Sequence, residues 1–169
     1  MKSSNHLIRP LTAIVALTAL LTAPLAFGAN LTKATTGTDL TAGASWVGSV
    51  APGSNDVAIW SGSSLGAGLT LGSSLSWQGI NVAAAASNIG VTGAGVLTLG
   101  NSGIDLSAAA NNLTLSSGLT LGAGHERWLV TSAGRTLTVN GAFTRTTGST
   151  LGISTNASGG IGIVAIYID

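Results

Sequence analysis

Leu113-Thr114-Leu115-Ser116-Ser117-Gly118-Leu119-Thr120-Leu121 is the stretch that decides the fold. Side chains alternate along a strand, so each Leu-Thr-Leu phrase buries its two leucines and exposes the threonine between them. Ser116-Ser117-Gly118 leaves room for a corner and none for a helix. The same phrase returns as Leu69-Thr70-Leu71, Leu97-Thr98-Leu99 and Leu137-Thr138-Val139, with looser versions such as Leu75-Ser76-Trp77, Ile80-Asn81-Val82, Ile89-Gly90-Val91, Ile104-Asp105-Leu106 and Leu129-Val130-Thr131. Their first residues fall into three series, beginning at 75, 97 and 119, at 80, 104 and 129, and at 89, 113 and 137. The interval within a series is about 22–25 residues, one coil of a solenoid built from short strands. The expected fold is all-β, a short parallel β-helix.

Working outward, residues 65–169 carry the repeats. Residues 30–64 differ: Trp46-Val47-Gly48 and Val57-Ala58-Ile59-Trp60 flank the turn Pro52-Gly53-Ser54-Asn55-Asp56. A coil stack needs a cover over its first coil, and this segment is expected to be that N-terminal cap, with Trp46 and Trp60 laid over the core. At the other end Val164-Ala165-Ile166-Tyr167-Ile168 runs apolar, so the array is expected to be open there, the opening part of a longer one.

Residues 1–29 read as a secretory signal. Lys2, His6 and Arg9 precede an apolar stretch from Leu11 to Leu21, Pro24 breaks it, and Ala26-Phe27-Gly28-Ala29 offers small residues to a peptidase. Cleavage is expected after Gly28, with the next bond, after Ala29, as the alternative. The stretch is short for a bilayer span, so no membrane span is expected once it is removed. The expected address is secreted, extracellular or outer cell surface, with the periplasm as the other exported compartment.

The 169-residue chain is 7% charged and has no cysteine. After residue 29, Lys33, Arg127, Arg135 and Arg145 face Asp39, Asp56, Asp105, Glu126 and Asp169, a near-neutral balance without a cationic patch. Nucleic acid is therefore not an expected partner. Apolar residues recur on schedule, which argues for order despite the low charge.

Three stretches resemble the opening region of bacterial autotransporter-associated β-strand repeat proteins. Ala44-Ser45-Trp46-Val47-Gly48 through Pro52-Gly53-Ser54-Asn55-Asp56-Val57-Ala58-Ile59-Trp60 is similar to the family's leading tryptophan, proline-glycine and aspartate pattern. Thr92-Gly93-Ala94-Gly95-Val96-Leu97-Thr98-Leu99-Gly100-Asn101 resembles its glycine-rich repeat phrase, and Ala133-Gly134-Arg135-Thr136-Leu137-Thr138-Val139-Asn140-Gly141 its strand-and-turn ending. Ser102-Gly103-Ile104-Asp105 stands where the family continues into an Asn-Thr-Tyr-Thr-Gly-like stretch. The resemblance implies a right-handed parallel β-helix and a passenger-like secreted module, and brings no catalytic residue with it.

Few residues invite chemistry. His125-Glu126-Arg127-Trp128 is the one polar knot, and strand neighbours point to opposite faces, which makes His125 and Glu126 a poor acid–base pair. The expectation is a surface corner with Trp128 inward and Arg127 paired with Glu126 or solvated. Asp105 is expected to point outward alone, so the paired carboxylates of a glycosidase are missing. Without cysteine or a Gly-x-Ser-x-Gly elbow, nucleophilic catalysis has no footing, and no cofactor or metal is expected. Residues for contact with a ligand or partner are Trp46 and Trp60, as an aromatic platform, and His125 and Arg127; Phe143 with Arg145, in a loop, adds a second partner contact.

The expected function is a secreted or cell-surface structural, adhesin-like passenger module with no catalysis of its own. Its partners would be a surface polysaccharide or another copy of the solenoid. The alternative is a carbohydrate-binding or polysaccharide-degrading β-helix. A third reading, an ice- or surface-binding solenoid, needs Thr-x-Thr pairs stacked on one face, and Thr136-x-Thr138 stands in the sequence without a stacked array.

Overall fold

The computed structural model describes residues 28–157 and 160–166. The basic and apolar parts of the leader, residues 1–27, and the end of the apolar tail, residues 167–169, lie outside the described residues. The chain winds into a parallel β-solenoid of about 5 turns with roughly 24 residues per turn.

Strands β1 (Asn30–Thr32), β2 (Val57–Trp60) and β3 (Leu69–Thr70) begin the stack. The next coils contribute β4 (Leu75–Val82) with β5 (Ile89–Thr92), then β6 (Val96–Asp105) with β7 (Leu113–Leu115). The fourth turn holds β8 (Gly118–Leu121), β9 (His125–Leu129) and β10 (Thr136–Val139). The last holds β11 (Phe143–Arg145), β12 (Thr150–Ser154) and β15 (Ile163–Ile166), with an antiparallel hairpin of β13 (Asn156–Ala157) and β14 (Gly160–Ile161) before β15. One face is an eight-stranded sheet running β1-β2-β4-β6-β8-β11, with β9 bridging β6 and β12; a second is the five-stranded sheet β15-β10-β7-β5-β3.

Registers follow the repeat. Leu75 lies beside Leu97, and Leu97 beside Leu119; Ile89 lies beside Leu113, and Leu113 beside Leu137. The first of these series extends to Phe143, which pairs with Leu119. Phe143 and Arg145 are therefore strand residues and not a loop, and the Phe143 ring meets Trp128 edge-on at 5.9 Å. The middle series is corrected by one residue: Ile104 pairs with Trp128, and Leu129 pairs with Asp105. A one-residue slip exchanges the faces of a strand, so Trp128 and Val130 are buried while Leu129 is only half-buried.

Inward leucines, isoleucines, valines and tryptophans form one continuous core. Each such side chain contributes about 1.5–3 kcal/mol by leaving water, and with no disulfide this stacked burial carries the fold. The two phrases of β4 merge into a single strand because a bulge between Trp77 and Gly79 resets the alternation, which buries both Leu97-type and Ile104-type positions on one continuous ladder. Gly103 in β6 sits at that reset with φ +59, and a Cβ there would fall on the Arg127 carbonyl of the next coil.

Segment 30–64 joins the stack as well as covering it: β1 and β2 pair in parallel with one another and β2 with β4. The loop between them is pinned by Lys33, which is buried and donates from Nζ to the Ala34 and Thr36 carbonyls at 3.1 and 2.7 Å. Burial lowers the pKa of that ammonium.

Candidate functional surfaces

Trp46 and Trp60 are 2% and 0% exposed, so neither ring is a platform open to a ligand. They meet Trp77 in a three-ring cluster with centroids 5.6–6.3 Å apart. Their indole N–H groups donate to the Leu40 and Leu65 carbonyls at 3.0 and 3.1 Å. The geometry is that of aromatic packing under the N-terminal loop.

The His125–Trp128 knot divides by strand alternation. His125 and Arg127 are exposed, and Glu126 and Trp128 are buried. Arg127 and Glu126 lie on opposite sides of the strand, so of the two expected arrangements the ion pair is ruled out and Arg127 is the exposed side chain. His125 Nδ1 instead lies 2.6 Å from Thr150 Oγ1 on the next coil. The burial of Glu126 follows from that alternation, and a wider corner gives it room. Leu99 to Ile104 takes five positions in β6, whereas the paired Leu121 to Trp128 takes seven, so two extra residues widen this corner. Glu126 fills it, accepting the Gly122 N–H at 2.9 Å through Oε1. Among the described residues, Oε2 and the Trp128 indole N–H make no well-formed hydrogen bond, and the indole dipole lies close enough only to favour the carboxylate weakly.

Burial raises the Glu126 pKa from 4.5 to about 7, with the Gly122 N–H and then the Trp128 indole pulling the other way. A carboxyl whose pKa is higher folded than unfolded stabilises most when protonated in both states. Its contribution falls as pH rises from about 4.5 to about 7 and levels off beyond. The full shift corresponds to about 3 kcal/mol, and screening near the last coils reduces it to roughly 1–2 kcal/mol. The melting midpoint is therefore expected to drop between pH 5 and pH 8 in the native chain, and to stay level over that range in Glu126→Gln. Parallel slopes in the two proteins would contradict the assignment.

Asp105 is not alone. Asn81, its register neighbour on β4, directs Nδ2 to Asp105 Oδ2 at 3.4 Å, and the Ser107 N–H fixes Oδ1 at 2.8 Å. These groups line an outer groove of about 310 Å³ together with the aliphatic Val57, Ile59 and Ile80 and the polar Asn30 and Ser102. The signal for it was present in the sequence as Ile80-Asn81-Val82 and Ile104-Asp105-Leu106 at the same place in consecutive coils.

The five-stranded sheet supplies the second surface. Gly90, Thr114, Thr138 and Ala165 follow one another in register along its outer face. Beside them Asn88, Asn112 and Thr136 form a ladder in which Asn88 Oδ1 accepts the Asn112 N–H at 3.1 Å and Asn112 Oδ1 accepts the Thr136 N–H at 3.0 Å. Two residues further along each strand stand Thr92, Ser116 and Asn140, all exposed. Coil stacking sets Asn112-x-Thr114 and then Asn88-x-Gly90 beside Thr136-x-Thr138, so the neighbours are mixed amides and hydroxyls and no second Thr-x-Thr pair stacks on it, as the sequence implied. The result is a grid of small uncharged hydroxyl and amide groups about 4.8 Å apart between coils and about 6.7 Å apart along each strand.

Among the described residues no three His, Cys, Asp or Glu side chains converge as metal ligands, and no helix is long and apolar enough to cross a membrane. No family profile, no curated protein and no solved structure matches the chain.

Proposed function

We propose that the protein is a secreted or cell-surface structural module, an adhesin-like passenger scaffold without catalytic activity of its own. The coil stack holds a short rigid body, and the outer face of its five-stranded sheet lies against a neutral surface polysaccharide. The observation that carries this reading is the uncharged grid around Thr114 and Thr138. Hydroxyls and amides at strand spacing exchange hydrogen bonds with sugar hydroxyls without desolvating a charge. The signal-like residues 1–29 and the resemblance to autotransporter-associated β-strand repeats support the exported address.

The test is co-sedimentation with an insoluble neutral glucan. The native protein is expected to pellet with it, equally at low and high salt because no ion pair is involved. Thr114→Arg/Thr138→Arg is expected to remain in the supernatant, while Thr98→Arg/Thr120→Arg, on the other sheet, pellets like the native chain. Equal behaviour of the two double variants would overturn the reading.

A second reading, binding of a single short glycan, has its own observation in the groove that Asp105 and Asn81 line together with Val57 and Ile59. A carboxylate beside an amide suits a pair of sugar hydroxyls, and the aliphatic lining suits a C–H face. Soluble glycan binding lost in Asp105→Ala and kept in Thr114→Arg/Thr138→Arg would favour the groove over the sheet face.

A further inference from the structure

We infer that the leader is cut between Gly28 and Ala29, and that the α-ammonium released on Ala29 is clasped by the Asp56 carboxylate. The inference rests on the secretion reading above and decides between its two cleavage bonds.

Ala29 is tied at both of its backbone groups. Its N–H lies 2.8 Å from Asp56 Oδ1, and its carbonyl accepts the Val57 N–H at 2.9 Å. The carboxylate is already aimed: Asp56 Oδ2 accepts the Gly53 N–H at 2.8 Å, closing the Pro52–Asp56 turn upon itself. Strand pairing then starts at once, with Asn30 beside Val57. A cut after Ala29 would discard both bonds and leave the turn's carboxylate without its Ala29 donor. A cut after Gly28 keeps both and replaces a neutral N–H by a cation at a carboxylate in place to receive it.

Gly28 itself fits the same bond. Its Cα lies so near the Asn55 carbonyl that a Cβ would collide with that oxygen, so the position accepts only glycine in the uncut chain. With Ala26 two residues before it, Gly28 also supplies the small residue that an exported protein's peptidase requires immediately before the cut. The step is hydrolysis. Water adds across the Gly28–Ala29 amide, the C–N bond breaks, the leader leaves with a Gly28 carboxylate, and the Ala29 nitrogen takes up protons to become an ammonium. The host's leader peptidase is the catalyst.

The electrostatics are simple at this end of the molecule. Strands β1 and β2, between which the new terminus sits, carry no ionisable side chain. Among the residues that line the groove with Asn30, Asp105 is the carboxylate. An α-ammonium ordinarily titrates at about 7.7–8.0, and a carboxylate at hydrogen-bond distance raises that value. The clasp therefore stabilises the fold below about pH 8, and its contribution is lost as pH rises through the raised value.

The experiment is expression of the full chain in an export-competent bacterial host and recovery of the exported protein. Intact mass gives its first residue, and NMR of the reductively ¹³C-methylated α-amine gives its titration. The expected result is Ala29 as first residue, with an α-amine pKa higher by about half a unit to one unit than in Asp56→Asn, which is cut at the same bond. A first residue of Asn30 would overturn the inference and leave the secretion reading standing. A chain that keeps its leader would overturn both. An α-amine that titrates identically in the native protein and in Asp56→Asn would overturn the clasp.

Discussion

Leu115→Asp is expected to leave the chain unfolded, while Thr114→Asp, its immediate neighbour, melts within a few degrees of the native protein. Leu115 is 1% exposed and lies in register between Val91 and Val139 in the middle of the five-stranded sheet. A carboxylate there has no hydrogen-bonding partner and no water, and the cost is about 5 kcal/mol or more. That is comparable with the entire stability of a domain of this size. Thr114 is half-buried on the outer face, where a charge stays solvated and the change is within about 1 kcal/mol. Circular dichroism melts of the two variants check this directly. Equal effects would mean that the inward and outward faces are wrongly assigned.

The second large effect is expected at a glycine. Gly103→Ala should cost roughly 3–4 kcal/mol, against about 1 kcal/mol for Gly134→Ala. Both glycines hold left-handed backbone, at φ +59 and +67, so both variants carry the same torsional strain. They differ in surroundings. A Cβ on Gly103 lands on the Arg127 carbonyl of the next coil, whereas a Cβ on Gly134 meets nothing within 4 Å. The difference between the two variants in chemical denaturation therefore measures how tightly β6 stacks on β9. Equal losses would contradict that close approach.

Repeat positions were the legible part of the fold. Apolar–Thr–apolar phrases specify which residues face inward, and a constant interval specifies which of them become neighbours, so Leu75, Leu97 and Leu119 align as their spacing implies. In the middle series the step is 24 residues twice, from Ile80 to Ile104 and from Ile104 to Trp128, so a series continued to Leu129 misses by one. Trp128 and Val130 face inward, Leu129 does not, and Glu126 lies on the inward side with them. The buried glutamate follows from alternation, since Glu126 stands two residues before the inward Trp128, and the wider corner gives it room. The bulge at Trp77–Gly79 was invisible, because two phrases separated by a short gap read the same whether or not the backbone ladder continues between them.

The candidate surfaces were legible in the same uneven way. Trp46 and Trp60 were legible as cover for the core, which their burial shows, and the alternative of an open aromatic platform fails because large rings are the side chains a core most favours. Asn81 and Asp105 were inconspicuous separately and become a pair only through the 24-residue register that stacks their coils. Thr136-x-Thr138 acquired its neighbours Asn112 and Thr114 by the same stacking. Both surfaces are products of register, which is why the register is the quantity to measure.

A chain without cysteine allows that measurement by cross-linking. Thr98, Thr120 and Thr144 are successive register partners on the outer face of the eight-stranded sheet. Neighbouring strands place such Cα atoms about 4.8 Å apart, within reach of a disulfide, and next-but-one strands about 9.6 Å apart, beyond it. On mild oxidation, Thr98→Cys/Thr120→Cys is expected to close an intramolecular disulfide, and Thr98→Cys/Thr144→Cys to keep both thiols free. A bond in the second variant, or none in the first, would contradict the coil stack on which every surface described above depends.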